Sequence, residues 1–97
     1  MRTRTRMKMM EILENTYPGL WMNYSEDFNG SKYGIWICAE DGVVDRNGDE
    51  LFDYYAMNHR KYMFGVVKHL SNWAQRAGWY FEWHDPGTIF MWKIHND

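Results

Sequence analysis

The sequence predicts an α+β fold in two layers, with an antiparallel sheet of four to six strands and two helices on one face. Two segments carry apolar residues at the 3.6-residue period of a helix, whereas the segments between and after them alternate with a period of two. Turn-forming residues separate consecutive strand segments, which indicates hairpins and therefore antiparallel pairing. The predicted order is α-β-β-β-β-α-β-β, and 97 residues suit a single domain over residues 1–97.

The first helix is predicted over residues 5–16. Met9 and Leu13 recur at helical spacing and would form its buried face. Pro18 should end it, because proline cannot continue the backbone hydrogen bonding of a helix and disfavours a helical residue before it. Residues 1–5 are expected to form a frayed basic arm ahead of this helix.

Four predicted strands follow, and each pair of them is joined by a turn. Asn29-Gly30 predicts the first turn, and Asn47-Gly48 predicts a second hairpin of type I′, with positive φ at both central residues. The four strand segments are residues 20–25, 32–39, 43–45 and 50–52.

The second helix is predicted over residues 58–77, where an apolar stripe keeps helical spacing for its whole length. Asn58 suits the N-cap, and Gly78 suits the left-handed residue that closes many helices. Two further strands, 79–83 and 88–94, should form a final hairpin. The stripe consists of Met63, Val66, Val67, Leu70, Trp73, Ala74 and Ala77.

Composition and charge exclude several classes of protein. Hydrophobic residues make up 45% of the chain and no apolar run approaches the ~18 residues of a membrane span, so we expect neither a disordered nor a membrane protein. Lys and Arg number 11 against 13 Asp and Glu, a net charge of −2 that argues against a dedicated duplex binder. Four cations near the N-terminus could steer an acidic partner, namely Arg2, Arg4, Arg6 and Lys8.

Few side chains in the sequence suggest a metal-binding or catalytic site. The histidines lack the spacing of a zinc motif, and the Asp45–Glu50 stretch does not match a calcium loop, so neither a metal nor another cofactor is expected. A single cysteine, Cys38, suits a reducing cytoplasm and is expected to pack as an inert thiol in a strand. Enzymatic activity would gain support only if Glu82, His84 and Asp85 converged in a concave pocket; we therefore predict no enzyme.

The aromatic content is the main functional lead, since six Trp, seven Tyr and five Phe make up 19% of the chain. Two helices can cover only one face of a sheet, so some rings should remain exposed or lie in an interface, as aromatic side chains do in protein interfaces. A homodimer could bury two such faces. The predicted partner-binding residues are Trp79, Phe81, Trp83, Phe90, Trp92, Tyr54 and Tyr55.

Residues 51–94 resemble small uncharacterised proteins encoded by tailed phages. The resemblance rests on Leu51-Phe52-Asp53-Tyr54-Tyr55, Gly78-Trp79-Tyr80-Phe81-Glu82-Trp83 and Asp85-Pro86-Gly87-Thr88. It implies a phage-encoded protein that binds and modulates a host or anti-phage defence protein in the host cytoplasm, and it carries over no catalytic residues. The alternative is an aromatic platform for nucleotides or single-stranded nucleic acid, on which bases would stack while the N-terminal cations bind phosphate.

Overall fold

A computed structural model describes residues 3–95 of the chain and confirms the α+β class. The elements are α1 (Arg6–Thr16), β1 (Met22–Tyr24), α2 (Glu26–Asn29), β2 (Ile35–Cys38), β3 (Tyr62–Met63), β4 (Val66–Val67), α3 (Lys68–Arg76), β5 (Trp79–Asp85) and β6 (Thr88–Lys93). A four-stranded antiparallel sheet, in the order β1-β2-β6-β5, packs one face against α1 and α3, and β3 and β4 form a separate two-stranded ribbon.

Helix α1 matches its predicted bounds closely. Thr5 is the N-cap, and its side-chain oxygen accepts a hydrogen bond from the backbone N–H of Lys8 at 3.2 Å. Met9 and Leu13 are buried in the core, as the spacing predicts. The backbone N–H of Tyr17 donates to the carbonyl of Leu13 and closes the helix just before Pro18.

The segment ahead of α1 is fixed rather than frayed over its described residues. The Arg4 N–H donates to the carbonyl of Ala77 at 3.0 Å. In return, Trp79 Nε1 donates to the Arg4 carbonyl oxygen at 2.8 Å. The prediction of a frayed arm is therefore wrong for residues 3–5, because two hydrogen bonds connect this backbone to the end of α3 and the start of β5.

A short helix, α2, replaces the plain turn expected after the first strand. It ends at Gly30, whose φ of +81° is the left-handed conformation that glycine adopts readily. Ser25, fully buried, holds the segment in place: its hydroxyl donates to the Ser31 carbonyl at 2.6 Å and accepts from the Gly34 N–H at 2.9 Å.

The turn at residues 45–49 differs from its predicted type. Gly48 has a φ of +83°, but Asn47 does not have positive φ, so the turn is not type I′. The Gly48 N–H donates to the Asp45 carbonyl and the Asp45 N–H to the Asp49 carbonyl, the pattern of a type I turn followed by a glycine bulge. Val44 and Glu50 form a single bridge, so the flanking segments remain outside the sheet.

The predicted helix over residues 58–77 is wrong in its first half, since α3 begins only at Lys68. Phe64 and Gly65 have φ of +50° and +79° and form the type I′ turn between β3 and β4. The Asp53 N–H donates to the Gly65 carbonyl at 2.8 Å. Backbone pairing with residues 51–53 therefore overrides the helical period of this segment.

The sheet has two distinct faces. The covered face lies under α1 and α3 and carries the core, and the open face is the one that these helices do not cover. Residues on the covered face alternate along each strand with those on the open face, so Ile35 and Met91 pair within the core while Trp36 and Phe90 pair on the open face. The core comprises Met9, Leu13, Leu20, Ile35, Ile37, Leu51, Phe52, Val66, Val67, Leu70, Ala74, Ala77, Trp79, Ile89 and Met91.

Candidate interaction surface

The seven aromatic residues predicted to bind a partner do not form one surface. By strand register, the three on β5 lie on the covered face, whereas the two on β6 lie on the open face. The two tyrosines follow the 43–52 loop. The covered-face residues are Trp79, Phe81 and Trp83; the open-face residues are Phe90 and Trp92; the loop residues are Tyr54 and Tyr55.

Trp79 lies in the core and not on the surface. Its side chain has 0% exposure, and its indole N–H is satisfied by the carbonyl of Arg4. Phe81 is half-buried and packs against the core beside Phe52, with ring centroids 5.6 Å apart. These two residues therefore build the fold, and we leave them out of the candidate surface.

Three exposed aromatic side chains lie near the end of β5, around the half-buried ring of Trp83. We call Tyr54, Tyr55, Phe64 and Trp83 the tip patch. The Tyr54 ring lies 5.1 Å from that of Trp83 and 5.2 Å from that of Tyr55, and both pairs are edge-to-face. Trp83 Nε1 donates to the carbonyl of Phe64 at 2.7 Å, which fixes the type I′ turn against the sheet. The patch thus combines two predicted tyrosines, one predicted tryptophan and Phe64.

Phe64 has an unusual backbone conformation for its residue type. A bulky side chain at positive φ costs roughly 1–2 kcal/mol relative to glycine or asparagine, which type I′ turns prefer. Its side chain is nevertheless 88% exposed, so packing within the chain does not offset that cost. Tyr55, in the same patch, is 74% exposed.

A second cluster covers the open face of the sheet. We call Trp21, Phe28, Trp36, Phe90 and Trp92 the open-face cluster. The Trp21 and Trp36 centroids lie 4.7 Å apart, and Phe28, contributed by α2, lies 5.0 Å from Trp36 and 5.1 Å from Phe90. Phe90 stacks on Trp92 at 5.3 Å. These rings pack mainly on one another: Phe90 is only 3% exposed, although Trp21 is 42% exposed.

Trp92 is fixed from two sides. A Cβ atom at Gly34 would overlap the Trp92 ring, so glycine is what allows the indole to lie on the backbone of the neighbouring strand. The indole N–H donates to Glu82 Oε1 at 3.1 Å, which places a carboxylate within the open face.

The predicted N-terminal cations are largely engaged within the chain. Arg6 bonds Glu26 at 2.6 Å and lies 4.2 Å from the Tyr24 ring centre, and its hydrogen bond lowers the pKa of Glu26 to about 2. Lys8 pairs with Glu11 at 3.0 Å on the exposed side of α1. Arg4 has an exposed side chain, and Arg2 lies outside the described residues. The four cations therefore do not act as one free basic surface over residues 3–8.

The three residues that would have indicated catalysis do not enclose a pocket. His84 and Asp85 are 4.0 Å apart, each with about half of its side chain exposed, and Glu82 accepts a hydrogen bond from Trp92.

Burial raises the pKa of Cys38, and the neighbouring Asp41 carboxylate raises it further, so its thiol is less ionised than a free cysteine at neutral pH.

Phe64 is one of the surface residues that the sequence analysis did not predict, because the apolar spacing around it fits a helix. The Phe-Gly pair was the available signal, since glycine suits the second position of a type I′ turn. Trp21 and Phe28 were also missed, the first because it faces away from the core and the second because α2 was not expected.

Within the described chain, no three His, Cys, Asp or Glu side chains come together as a metal site requires. None of the helices over residues 3–95 is long and apolar enough to cross a bilayer. No protein-family model, no curated protein and no solved structure matches the sequence or the fold.

Proposed function

We propose that this chain is a small non-enzymatic protein that binds a partner protein, with the tip patch as its contact surface. The observation that carries this proposal is the combination of Phe64, an exposed ring at positive φ, with the ring contacts of Trp83, Tyr54 and Tyr55 next to its turn. The turn would fold at lower cost with asparagine at this position, so the fold itself does not require phenylalanine here.

A bound partner would supply the stabilisation that the isolated chain lacks. Burying the exposed 88% of a Phe side chain of roughly 200 Å² is worth about 4 kcal/mol before the costs of association. Tyr54 and Tyr55, in the same patch, add rings that are apolar on their faces and polar at their hydroxyls. Aromatic anchors of this kind dominate the binding energy of many protein interfaces.

The partner class follows from the resemblance of residues 51–94 to tailed-phage proteins. That stretch contains every residue of the tip patch, and the resemblance points to a host or anti-phage defence protein that is modulated or inhibited in the host cytoplasm. A matching partner would present an apolar pocket for Phe64, since its ring carries no polar group to satisfy.

The alternative function, nucleic-acid binding, is supported by the stacked rings of the open face but not by the charged groups near them. Phe90 and Trp92 are stacked on the open face, as a base-stacking platform requires. However, Glu82 places a carboxylate among these rings, and Arg6 is paired with Glu26 instead of being free for phosphate. The open-face cluster therefore favours a structural role or a second copy of the chain over a polyanion.

The proposal is tested by capture of a partner from a bacterial host lysate, followed by titration of the purified partner. Phe64→Asn should weaken binding at least about 30-fold, the effect of losing ~2 kcal/mol at an interface anchor, and should leave the fold intact. Tyr33→Asn is the matched control: Tyr33 also has positive φ, is 66% exposed and lies outside the tip patch, so its variant should bind like the parent chain.

Two results would overturn the proposal. One is repeated capture without a stoichiometric protein partner; the other is a partner that binds Phe64→Asn as tightly as the parent. If sedimentation shows a dimer that Trp21→Ser dissociates, the open-face cluster is a self-association surface.

A further inference from the structure

A cleft separate from both aromatic clusters lies between α1, the 43–52 loop and α3. Its volume is about 720 Å³, within the range of roughly 300–1,000 Å³ that small-molecule sites occupy. Its apolar lining includes Ile12 from α1, Val44 from the loop and the half-buried Trp73 from α3. Three separate parts of the fold therefore contribute to one concave surface.

The exposed charges of this lining are positive. Arg46 projects from the loop and Arg76 from the last turn of α3, and both line the cleft. Neither guanidinium has an ion-pair partner among residues 3–95, in contrast to Arg6. Two guanidinium groups without ion-pair partners in one cleft are free to donate hydrogen bonds to an anion.

The one carboxylate in the lining is already committed to the fold. The Asp45 side chain is 3% exposed, and its Oδ1 accepts from the backbone N–H groups of Asn47 and Asp49 at 2.9 and 3.0 Å. Its Oδ2 lies 2.9 Å from His69 Nε2. Burial alone would raise the pKa of Asp45, but these hydrogen bonds outweigh burial and lower it, so the carboxylate stays charged and holds the histidine.

His69 is oriented by that contact. With Asp45 ionised, Nε2–H donates to the carboxylate, so the ring position is fixed while half of the side chain remains exposed at the cleft. The lining therefore offers two guanidinium groups, an oriented imidazole and a flat indole wall, whereas its single negative charge is buried in the loop.

We propose that this cleft binds a small organic phosphate, with Arg46 and Arg76 as the phosphate partners and Trp73 as the wall for an apolar or aromatic body. Arginine matches phosphate because its planar fork can donate two hydrogen bonds to adjacent phosphate oxygens. A nucleoside monophosphate fits this description, as does a phosphorylated ring of similar size. The inference is independent of the tip patch and goes beyond the proposed function.

The test is calorimetric titration of the full chain with phenyl phosphate and with adenosine 5′-monophosphate, against phenol, adenosine and inorganic phosphate. We expect the two organic phosphates to bind with a dissociation constant below about 1 mM, and each of the other three compounds to bind at least tenfold more weakly. Arg46→Gln and Arg76→Gln should each weaken binding about tenfold, which corresponds to the loss of one charged hydrogen bond.

Arg60→Gln is the matched control, because it removes the same charge from an exposed turn outside the cleft. It should leave the affinity unchanged, as should Phe64→Asn, which separates this site from the proposed protein-binding surface. The inference is wrong if neither organic phosphate binds, if Arg60→Gln weakens binding as much as the cleft variants, or if the cleft variants bind like the parent chain.

Discussion

Trp79→Phe tests whether a buried indole ties the N-terminal segment to the sheet. Trp79 has 0% exposure, and its Nε1 donates to the Arg4 carbonyl at 2.8 Å. Phenylalanine keeps the aromatic ring in the core but cannot donate this hydrogen bond. The substitution also removes part of the buried apolar surface and leaves a small cavity.

The expected loss of stability follows from these two contributions. An indole buries roughly 50 Å² more than a phenyl ring, which is worth about 1.2 kcal/mol. The lost hydrogen bond contributes about 1 kcal/mol. The free energy of unfolding should therefore fall by about 2–3 kcal/mol, or roughly 10–15 °C in Tm for a chain of this size.

Urea unfolding with an unchanged m-value measures this loss, and hydrogen exchange at the Arg4 amide, which donates to the Ala77 carbonyl, reports the anchoring directly. Trp21→Phe is the matched control: this indole is 42% exposed, and its loss should cost less than about 1 kcal/mol. A Trp79→Phe loss no larger than that of the control, with Arg4 exchange unaltered, would refute the anchoring role.

Three further outcomes are expected. The hydrogen bond from Arg6 lowers the pKa of Glu26 from 4.5 to about 2, so this pair should stabilise the fold fully above pH 4.5 and lose its contribution as the pH falls towards 2. In urea unfolding, the free energy of unfolding of Glu26→Gln should therefore depend less on pH across that window than that of the parent chain. Gly34→Ala should destabilise the chain by about 1–3 kcal/mol and shift the indole NMR signal of Trp92, because the added methyl overlaps that ring. Iodoacetamide should alkylate Cys38 several-fold more slowly in the native chain at pH 7.5 than after unfolding in urea, because burial raises the pKa of the thiol.

The elements that sequence patterns predicted well are those where local preference and tertiary packing agree. Helix α1 has its cap at Thr5 and its two core residues at the expected spacing, and the β5–β6 hairpin turns where Pro86-Gly87 predicted it. In α1 a single helix face carries the apolar residues, and in the hairpin a single strand register buries them. The covered and open faces could therefore be predicted in outline before any coordinates.

The elements that were predicted wrongly depend on distant partners. Residues 62–67 have a helical period, but backbone pairing of Val66 with Phe52 and of Val67 with Leu51 draws them into a ribbon. The cleft shows the same dependence, because Asp45 and His69 are 24 residues apart and meet only through the folded loop. No local pattern in the sequence connects them.

The error in residues 58–67 and the tip patch have a common origin at Phe64. A phenylalanine there maintains the apolar spacing that suggests a helix, although the turn that forms would accept asparagine with less strain. Local preference and fold disagree at this residue, and such conflicts concentrate at functional sites, where selection for another property outweighs stability. The ring gains little from the folded chain because most of its surface faces solvent. The proposed contact with a partner protein would supply stabilisation that the folded chain does not give this ring, which is why Phe64→Asn is the variant that tests the proposal.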